Sequence, residues 1–276
     1  MTTARIDARF AALKAEGRAG FVAYVMAGDP SREEALEILR GLPAAGADLI
    51  ELGFPFSDPM AEGPPIQRAA LRGLKAGLTL KGTLELARDF RAGDAHTPLI
   101  LMGYLNPIES YGHAAFARDA AASGVDGLIV VDCPPEEAAP LSDALDAVQV
   151  SLIRLATPTS DDARLKIIAE RTSGFVYYVS VAGVTGVKEA QTLSVAPAVA
   201  RVRKASGLPV AVGFGVKTPD RAAEIARVAD AVVAGSVLVD EVAAALAANE
   251  PTVPRVLAKV KALADAVRGA RVTETV

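Results

Sequence analysis

The acidic residue best placed for proton-transfer chemistry is Glu51. It lies inside the short apolar run LIELG, where Ile50 and Leu52 should face one way and Glu51 the opposite way, into the interior. A carboxylate in that position loses its hydration, which raises its pKa and suits it to general acid and base catalysis. The alternative is that Glu51 is an ion-pair partner with a purely structural role.

The loop after this run adds two further carboxylates, Asp58 and Glu62, within the Pro- and Gly-rich segment GFPFSDPMAEGPP. From there both side chains are able to reach back toward Glu51. Paired carboxylates divide acid and base roles when their environments differ. The alternative is that Ser57 and Asp58 only cap a turn and that Glu62 is solvated.

Glycine-bearing turns follow three apolar runs in the second half of the chain: VSVAGVTG, with Gly183 and Gly186, then GFGV after Val212, then AGS after Val233. Backbone N–H groups at a helix N-terminus bind anions, and glycine leaves the approach open. The alternative for each of these segments, taken alone, is a plain turn without a binding role. Their coincidence predicts a phosphate site.

Aromatic side chains gather near the predicted strand ends and give the same region an apolar lining. They are Tyr24, Tyr104, Tyr177 and Phe214. Together with the glycine turns, they predict a ligand that is apolar at one end and phosphorylated at the other.

Other reaction classes are disfavoured by the composition. A single Cys and two His allow neither a disulfide within the chain nor a zinc cage, and Lys188 and Lys217, the lysines nearest the predicted site, lie in loops rather than at a strand end. We therefore expect no metal, no imine chemistry and a reducing, cytoplasmic location.

The 276 residues carry 33 acidic and 29 basic side chains, for a formal charge of −4, and 51% are hydrophobic. This composition is typical of a globular protein, and the slightly acidic balance with 5% aromatics argues against nucleic-acid binding. No apolar run is long enough for a membrane span. The first residues, about 1–18, show helical spacing without a secretion-signal core and predict a surface helix.

Eight short apolar runs, each followed by helical periodicity, predict a single-domain (β/α)8 TIM barrel over residues 1–276. The rival doubly wound sheet would more often carry a G-x-G-x-x-G turn after its first strand, which here ends AGDP. The predicted strands are Phe21–Ala27, Leu49–Leu52, Leu99–Tyr104, Gly127–Val131, Val150–Ala156, Phe175–Ser180, Pro209–Val212 and Ala231–Ala234.

The spacing between the second and third strands is unusually long, which indicates a functional insert after the second strand with an extra helix over Ile66–Lys75. The tail, about 271–276, is expected to be frayed. The helices paired with the strands are predicted at Arg32–Leu42, Thr79–Arg91, His113–Ala122, Glu136–Ala147, Asp162–Arg171, Val195–Lys204, Pro219–Arg227 and Val237–Ala247.

The run LIELGFPFSDPMAEGPPIQRA resembles the signature of the tryptophan synthase alpha subunits. The similarity continues in order through FVAYVMAGDP, LILMGYLNPI, GLIVVDCPPEE, FVYYVSVAGVTG, LPVAVGFGV and AVVAGSV, and so covers essentially the whole chain. A match of this length and order is far more specific than any single glycine motif.

The resemblance implies a cofactor-free TIM-barrel lyase of tryptophan biosynthesis. Such an enzyme cleaves indole-3-glycerol phosphate to indole and glyceraldehyde 3-phosphate and passes indole to a pyridoxal-phosphate beta subunit, in an alpha2beta2 heterotetramer. Glu51 and Glu62 match the family's two catalytic positions, and Asp58 matches a loop residue concerned with communication to the beta subunit. The resemblance implies substrate-binding positions at Tyr177, Gly186, Gly215, Gly235 and Ser236, to which the predicted aromatic lining adds Tyr24, Tyr104 and Phe214.

Three positions depart from the common family pattern: Glu62 replaces Asp, Pro65 replaces Thr, and Val181 stands where some members have Arg. Two alternative functions stay open at this point. One is another phosphate-binding barrel enzyme, such as a sugar-phosphate isomerase or epimerase. The other is a ligand-binding barrel that chiefly activates a partner subunit.

Overall fold

A computed structural model describes residues 3–180, 195–213 and 215–271. Within them, nine parallel strands form one sheet in the order β5-β4-β3-β2-β1-β9-β8-β7-β6. The strands are β1 (Gly20–Met26), β2 (Leu49–Gly53), β3 (Leu99–Gly103), β4 (Gly127–Val130), β5 (Ser151–Ile153), β6 (Leu155–Ala156), β7 (Val176–Val179), β8 (Val210–Gly213) and β9 (Ala231–Ala234).

The two end strands of this order, β5 and β6, are halves of one predicted strand that is interrupted at Arg154. β5 pairs with β4 and β6 pairs with β7. The two half-strands together therefore fill the position between β4 and β7 in the barrel. The architecture is therefore an eight-position barrel with one broken strand. The predicted TIM barrel is confirmed.

Helices surround the barrel, and all eight predicted strand-following helices are found with small changes at their ends. In all, the described ranges contain twelve α-helices: α1 (Thr3–Ala15), α2 (Arg32–Gly41), α3 (Pro64–Lys75), α4 (Leu80–Arg91), α5 (Leu105–Tyr111), α6 (His113–Ala122), α7 (Ala139–Ala147), α8 (Asp162–Ala169), α9 (Val195–Ser206), α10 (Pro219–Ala226), α11 (Ser236–Ala248) and α12 (Thr252–Gly269). No helix in the described ranges is long and apolar enough to cross a membrane.

Three local features differ from the sequence predictions. α7 begins at Ala139 rather than Glu136, because Pro135–Glu137 forms a separate 3-10 turn and Pro140 favours a helix start. α5 was not predicted, since Pro107 lies in its first turn and Gly112 ends it. α12 was also missed, although its buried residues Val256, Val260, Leu263 and Val267 recur at helical spacing.

The strands contribute side chains to two apolar layers, and β2 shows how they alternate. Ile50 and Leu52 pack in the outer layer between the strands and the helices, whereas Leu49 packs in the inner layer. Glu51 shares the inward face with Leu49 because successive side chains of a strand point to opposite faces. The predicted orientation of Glu51 into the barrel is thus confirmed.

α1 closes the N-terminal end of the barrel, where the predicted N-terminal helix is found as Thr3–Ala15. Its residues Ile6, Phe10 and Leu13 pack into the inner layer. Arg18, just after the helix, donates to both carboxylate oxygens of Asp48, at 2.8 and 2.9 Å. Apolar packing and ion pairs together seal this end.

At the opposite end, the insert after β2 leads into α3, which lies over part of the barrel interior. Pro64 and Pro65 occupy its first positions, where their missing N–H groups cost nothing. Its apolar residues Ile66, Ala69 and Ala70 pack with Tyr24, Met26 and Met102 of the inward face. Arg72 anchors the helix through two hydrogen bonds to Asp29, at 2.6 and 2.8 Å. The insert is a structured cover over the carboxyl ends of the strands.

Candidate active site

Glu51 lies on the inward face of β2, beside Tyr24 of β1 and Ile100 of β3. Only 1% of the residue is exposed, and its Oε1 has no hydrogen-bond partner. Burial, followed by the charge of Glu62, raises the pKa of Glu51 to about 8. The structural ion-pair alternative has no support, since no cation among the described residues pairs with this side chain.

Glu62 is at the end of the insert loop, immediately before α3, and is 8% exposed. Its backbone carbonyl accepts a hydrogen bond of 2.9 Å from Nε2 of Gln67, which fixes the loop against the first turn of α3. Burial raises its pKa to about 7. Because the charge of Glu62 also raises the pKa of Glu51, the insert brings the second carboxylate close to the first.

Two tyrosine hydroxyls reach into this region by crossing over glycines of the neighbouring strand. A methyl group on Gly53 would collide with the hydroxyl of Tyr24, and one on Gly213 would collide with that of Tyr177. Burial and the charges of both glutamates raise the pKa of each tyrosine well above its ordinary value. Both phenols therefore stay protonated and line the space beside the carboxylates.

Tyr104 has a supporting function that sequence analysis missed. Its hydroxyl accepts a hydrogen bond of 3.0 Å from the backbone N–H of Ala61, and its ring lies 5.5 Å from that of Phe56. Both contacts hold the insert loop on either side of its exposed tip. Tyr104 thus positions the segment that carries Glu62.

The predicted phosphate-binding positions are described only in part. Gly215 has a φ of +73°, which favours glycine, and Gly235 is the N-cap of α11, with Ser236 as the first residue of that helix. Gly186, Phe214 and the variable position Val181 lie outside the described residues. Because β9 runs parallel to β2, the N-terminus of α11 opens at the same end of the barrel as the glutamates.

Asp58 is placed apart from the buried carboxylates. It is exposed at the tip of the insert, where Ser57 Oγ donates to its Oδ2 at 2.5 Å. Met60 beside it is 77% exposed. The turn contact predicted for Ser57 and Asp58 is present, and the tip faces away from the interior.

The site as a whole combines two buried carboxylates that titrate near neutral pH, phenolic donors and a helix N-terminus. No cluster of three or more His, Cys, Asp or Glu in the described part of the chain is arranged to hold a metal ion. The arrangement is suited to moving protons on an apolar ligand whose anionic end lies at the glycine turns.

Comparison with known proteins decides between the possible barrel enzymes. The family described as "Tryptophan synthase alpha chain" matches residues 10–268. The chain belongs to this family. Tryptophan synthase alpha chains are lyases of tryptophan biosynthesis that catalyse the alpha reaction and work with a beta subunit, so the match supports neither an isomerase or epimerase nor a barrel that only activates a partner.

Relatives from this family match the chain over nearly their full length. The alpha chain of Phenylobacterium zucineum is 74% identical over 98% of both chains, and that of Caulobacter vibrioides is 69% identical over 99% of both. Among solved structures, tryptophan synthase subunit alpha from Legionella pneumophila is 40% identical with a TM-score of 0.89, covering 95% of this chain and 98% of that one. The tryptophan synthase of Mycobacterium tuberculosis is 36% identical with a TM-score of 0.86, covering 96% and 98%.

Proposed function

We propose that this alpha chain cleaves indole-3-glycerol phosphate to indole and glyceraldehyde 3-phosphate, with Glu51 and Glu62 as its two catalytic residues. The observation that carries the proposal is the burial of both carboxylates at one end of the barrel, with pKa values raised to about 8 and about 7. Such values allow one carboxyl group to be protonated while the other is ionised near neutral pH.

Glu51 is assigned to the proton transfers. Its protonated carboxyl gives a proton to C3 of the indole ring, which forms an indolenine. The hydroxyl on the adjacent carbon then loses its proton to the Glu51 carboxylate as the carbonyl forms, and the electrons of the breaking carbon–carbon bond return to the ring. The proton on Glu51 is thereby restored, and no cofactor is needed.

Glu62 is assigned to the indole N–H. Positive charge develops on this nitrogen when C3 is protonated, and an ionised carboxylate beside it stabilises that charge more in the transition state than in the ground state. The lower pKa of Glu62 is consistent with this division of roles, because Glu62 ionises before Glu51 as pH rises.

The remaining binding roles follow the shape of the site. We assign Tyr24, Tyr104, Tyr177 and Phe214 to the indole side and Gly186, Gly215, Gly235 and Ser236 to the phosphate. The position of Gly235 and Ser236 at the start of the 13-residue helix α11 supports the phosphate assignment. The phosphate supplies binding energy remote from the bond that breaks.

For the assembly, we propose an alpha2beta2 heterotetramer in the cytoplasm, with residues 1–276 acting as one domain. The exposed tip of the insert, with Asp58 and Met60, supports a partner contact close to the catalytic end. We assign Asp58 to communication with the beta subunit. A covered mouth would keep the small, apolar indole from escaping into solvent.

The direct test is to incubate the purified chain with indole-3-glycerol phosphate, alone and with a beta subunit, and to measure indole. We expect indole release by the chain alone and a faster rate in the complex. A chain that releases no indole in either case would contradict the proposed reaction. A chain that stays monomeric beside its cognate beta subunit in sedimentation, without a gain in rate, would contradict the assembly.

A further inference from the structure

A cavity of about 430 Å³ lies at the carboxyl end of the barrel where the wall is broken between β5 and β6. The loop after β4, the broken strand and the start of α8 surround it, and neither catalytic glutamate lines it. Its lining includes Val130, Asp132, Leu152, Arg154, Leu155 and Arg164.

Arg154 is the unusual residue of this cavity. It occupies the interruption between the two half-strands, is only 8% exposed, and its Nε is buried without a hydrogen-bond partner. Half-buried arginines elsewhere in the barrel are paired, as Arg18 is with Asp48 and Arg72 with Asp29. Arg154 has no such ion pair within the described ranges.

Two acidic residues of the loop after β4, Asp132 and Glu136, already have polar partners of their own. Asp132 Oδ1 accepts a hydrogen bond of 2.8 Å from the backbone N–H of Leu105, and Glu136 forms an ion pair with Arg164. Burial lowers the pKa of the Arg154 guanidinium, which reflects the cost of a charge held out of water without compensation. An anion that entered the cavity would remove this cost.

We propose that the cavity is a second binding site, separate from the catalytic one, for a small carboxylate with an apolar body. The planar guanidinium of Arg154 presents paired N–H donors that match the two oxygens of a carboxylate. Val130, Leu152 and Leu155 offer apolar contacts for the rest of the molecule. Arg164, at the rim, is already paired with Glu136, so Arg154 is the anchoring cation.

The size of the cavity favours a free ligand over a single inserted side chain. Its volume falls within the range of sites for small molecules, about 300–1,000 Å³. The carboxyl group of an Asp or Glu would fill only a small part of it. Apolar walls around a few placed polar groups are also the usual composition of such sites.

Benzoate is a suitable probe, with benzamide as a neutral molecule of nearly the same shape. We expect benzoate to bind the full chain saturably in titrations followed by NMR, and benzamide to bind at least tenfold more weakly, because only benzoate carries the carboxylate. Equal binding of the two compounds, or no saturable binding of benzoate, would overturn the proposal.

Arg154→Met tests the anchoring residue, and Arg118→Met is the matched control, since the Arg118 side chain is 68% exposed and pairs only with its neighbour Asp119 among the described residues. We expect a loss of at least tenfold in benzoate affinity for Arg154→Met and no change for Arg118→Met. Arg154→Lys, which keeps the charge but loses the paired donors, should lose affinity several-fold. Unchanged affinity in all three variants would remove Arg154 from the site.

Thermal unfolding gives an independent measurement. Without ligand, Arg154→Met should melt at a higher temperature than the parent chain because it removes a buried, unpaired charge, and benzoate should stabilise only the parent. Indole release should be unaffected, so failure here would be distinguishable from failure of the proposed reaction. If Arg154→Met bound benzoate normally but assembled poorly with the beta subunit, the occupant would be an acidic side chain of that partner, and the small-ligand proposal would be wrong.

Discussion

Carboxylates are buried both at the N-terminal end of the barrel and in the candidate active site at the opposite end, but the two groups differ in their partners. At the N-terminal end, Asp48 accepts two hydrogen bonds from Arg18 and a third, of 3.0 Å, from the backbone N–H of Phe21. Asp126 likewise accepts from Arg5 at 2.6 Å and from Arg91 at 3.0 Å. Each of these contacts favours the ionised form of the carboxylate and opposes the burial that raises the pKa of Asp126.

At the C-terminal end, neither Glu51 nor Glu62 has an ion-pair partner in the described part of the chain, and burial raises both pKa values. Carboxylates of one chemical type therefore stabilise the fold at one end and stay reactive at the other. Burying Glu51 and Glu62 in this way lowers the folding stability locally, and it leaves both groups able to exchange protons in the reaction.

The largest expected effect comes from Glu51→Gln. The amide has nearly the shape of the protonated carboxyl group but cannot exchange protons at neutral pH. We expect turnover to fall by about 10²–10⁴, the usual contribution of a general acid or base. Indole release under saturating indole-3-glycerol phosphate measures it.

Circular dichroism provides the control for this variant, since Glu51→Gln should keep the native spectrum and bind a substrate analogue normally. Retention of more than half the parental rate would mean that Glu51 has only a structural role. The contrast between the two ends of the barrel would then lose its functional meaning.

The next largest effect is expected at Glu62, where two substitutions separate charge from reach. Glu62→Ala should lower turnover strongly because no carboxylate remains beside the indole N–H. The turnover of Glu62→Asp should lie between those of Glu62→Ala and the parent. Its carboxylate keeps the charge but ends about 1.5 Å short of the indole N–H. Steady-state indole release distinguishes the three chains.

Pro64 and Pro65 explain why the shorter side chain should not simply recover its position. Both prolines fix their φ angles at the start of α3, and Gln67 holds the Glu62 carbonyl, so the backbone is restrained on this side. An unchanged rate in Glu62→Ala would exclude this residue from the mechanism.

At the other end of the barrel, Asp48→Asn should affect stability and leave chemistry alone. The substitution leaves the guanidinium of Arg18, which is 14% exposed, without its ionised partner. We expect a loss of about 3 kcal/mol in the free energy of unfolding by urea. Indole release per folded molecule should stay at the parental value. A large loss of turnover in this variant would contradict the purely stabilising role of Asp48.

Much of this arrangement was predictable because it depends on short-range patterns. Alternation within LIELG placed Glu51 on the inward face, and the long spacing after β2 revealed the insert that brings in Glu62. The sequence also predicted aromatic side chains at the site. Periodicities of two and 3.6 residues carry this information without knowledge of the tertiary structure.

Other features depend on contacts between distant segments and leave little trace in the sequence. The break at Arg154 lies within the mostly apolar run Val150–Ala156, and an arginine there gave no sign that its Nε would be buried without a partner. The hydrogen bond from the Ala61 N–H to the Tyr104 hydroxyl joins residues that are 43 positions apart in the sequence. The ion pairs of Asp48 and Asp126 likewise required the packed barrel.

The smallest expected effect concerns the pH dependence of stability. Glu51 has a pKa of about 8 in the folded chain and about 4.5 when unfolded, so the folded state binds more protons between these values. The favourable contribution of protonated Glu51 is complete below pH 4.5 and is lost as pH rises through 8.

Glu51→Gln lacks this titration. It should therefore match the parent near pH 4.5 and be more stable at pH 8, by about 1–2 kcal/mol after allowance for water that enters the site when Glu51 ionises. Urea unfolding of both chains at the two pH values measures the difference, and Asp48→Asn, which removes a carboxylate paired with Arg18, should show no corresponding gain. A Glu51→Gln chain that is less stable than the parent at pH 8 would show that the carboxylate is satisfied in the fold, as it is at the N-terminal end.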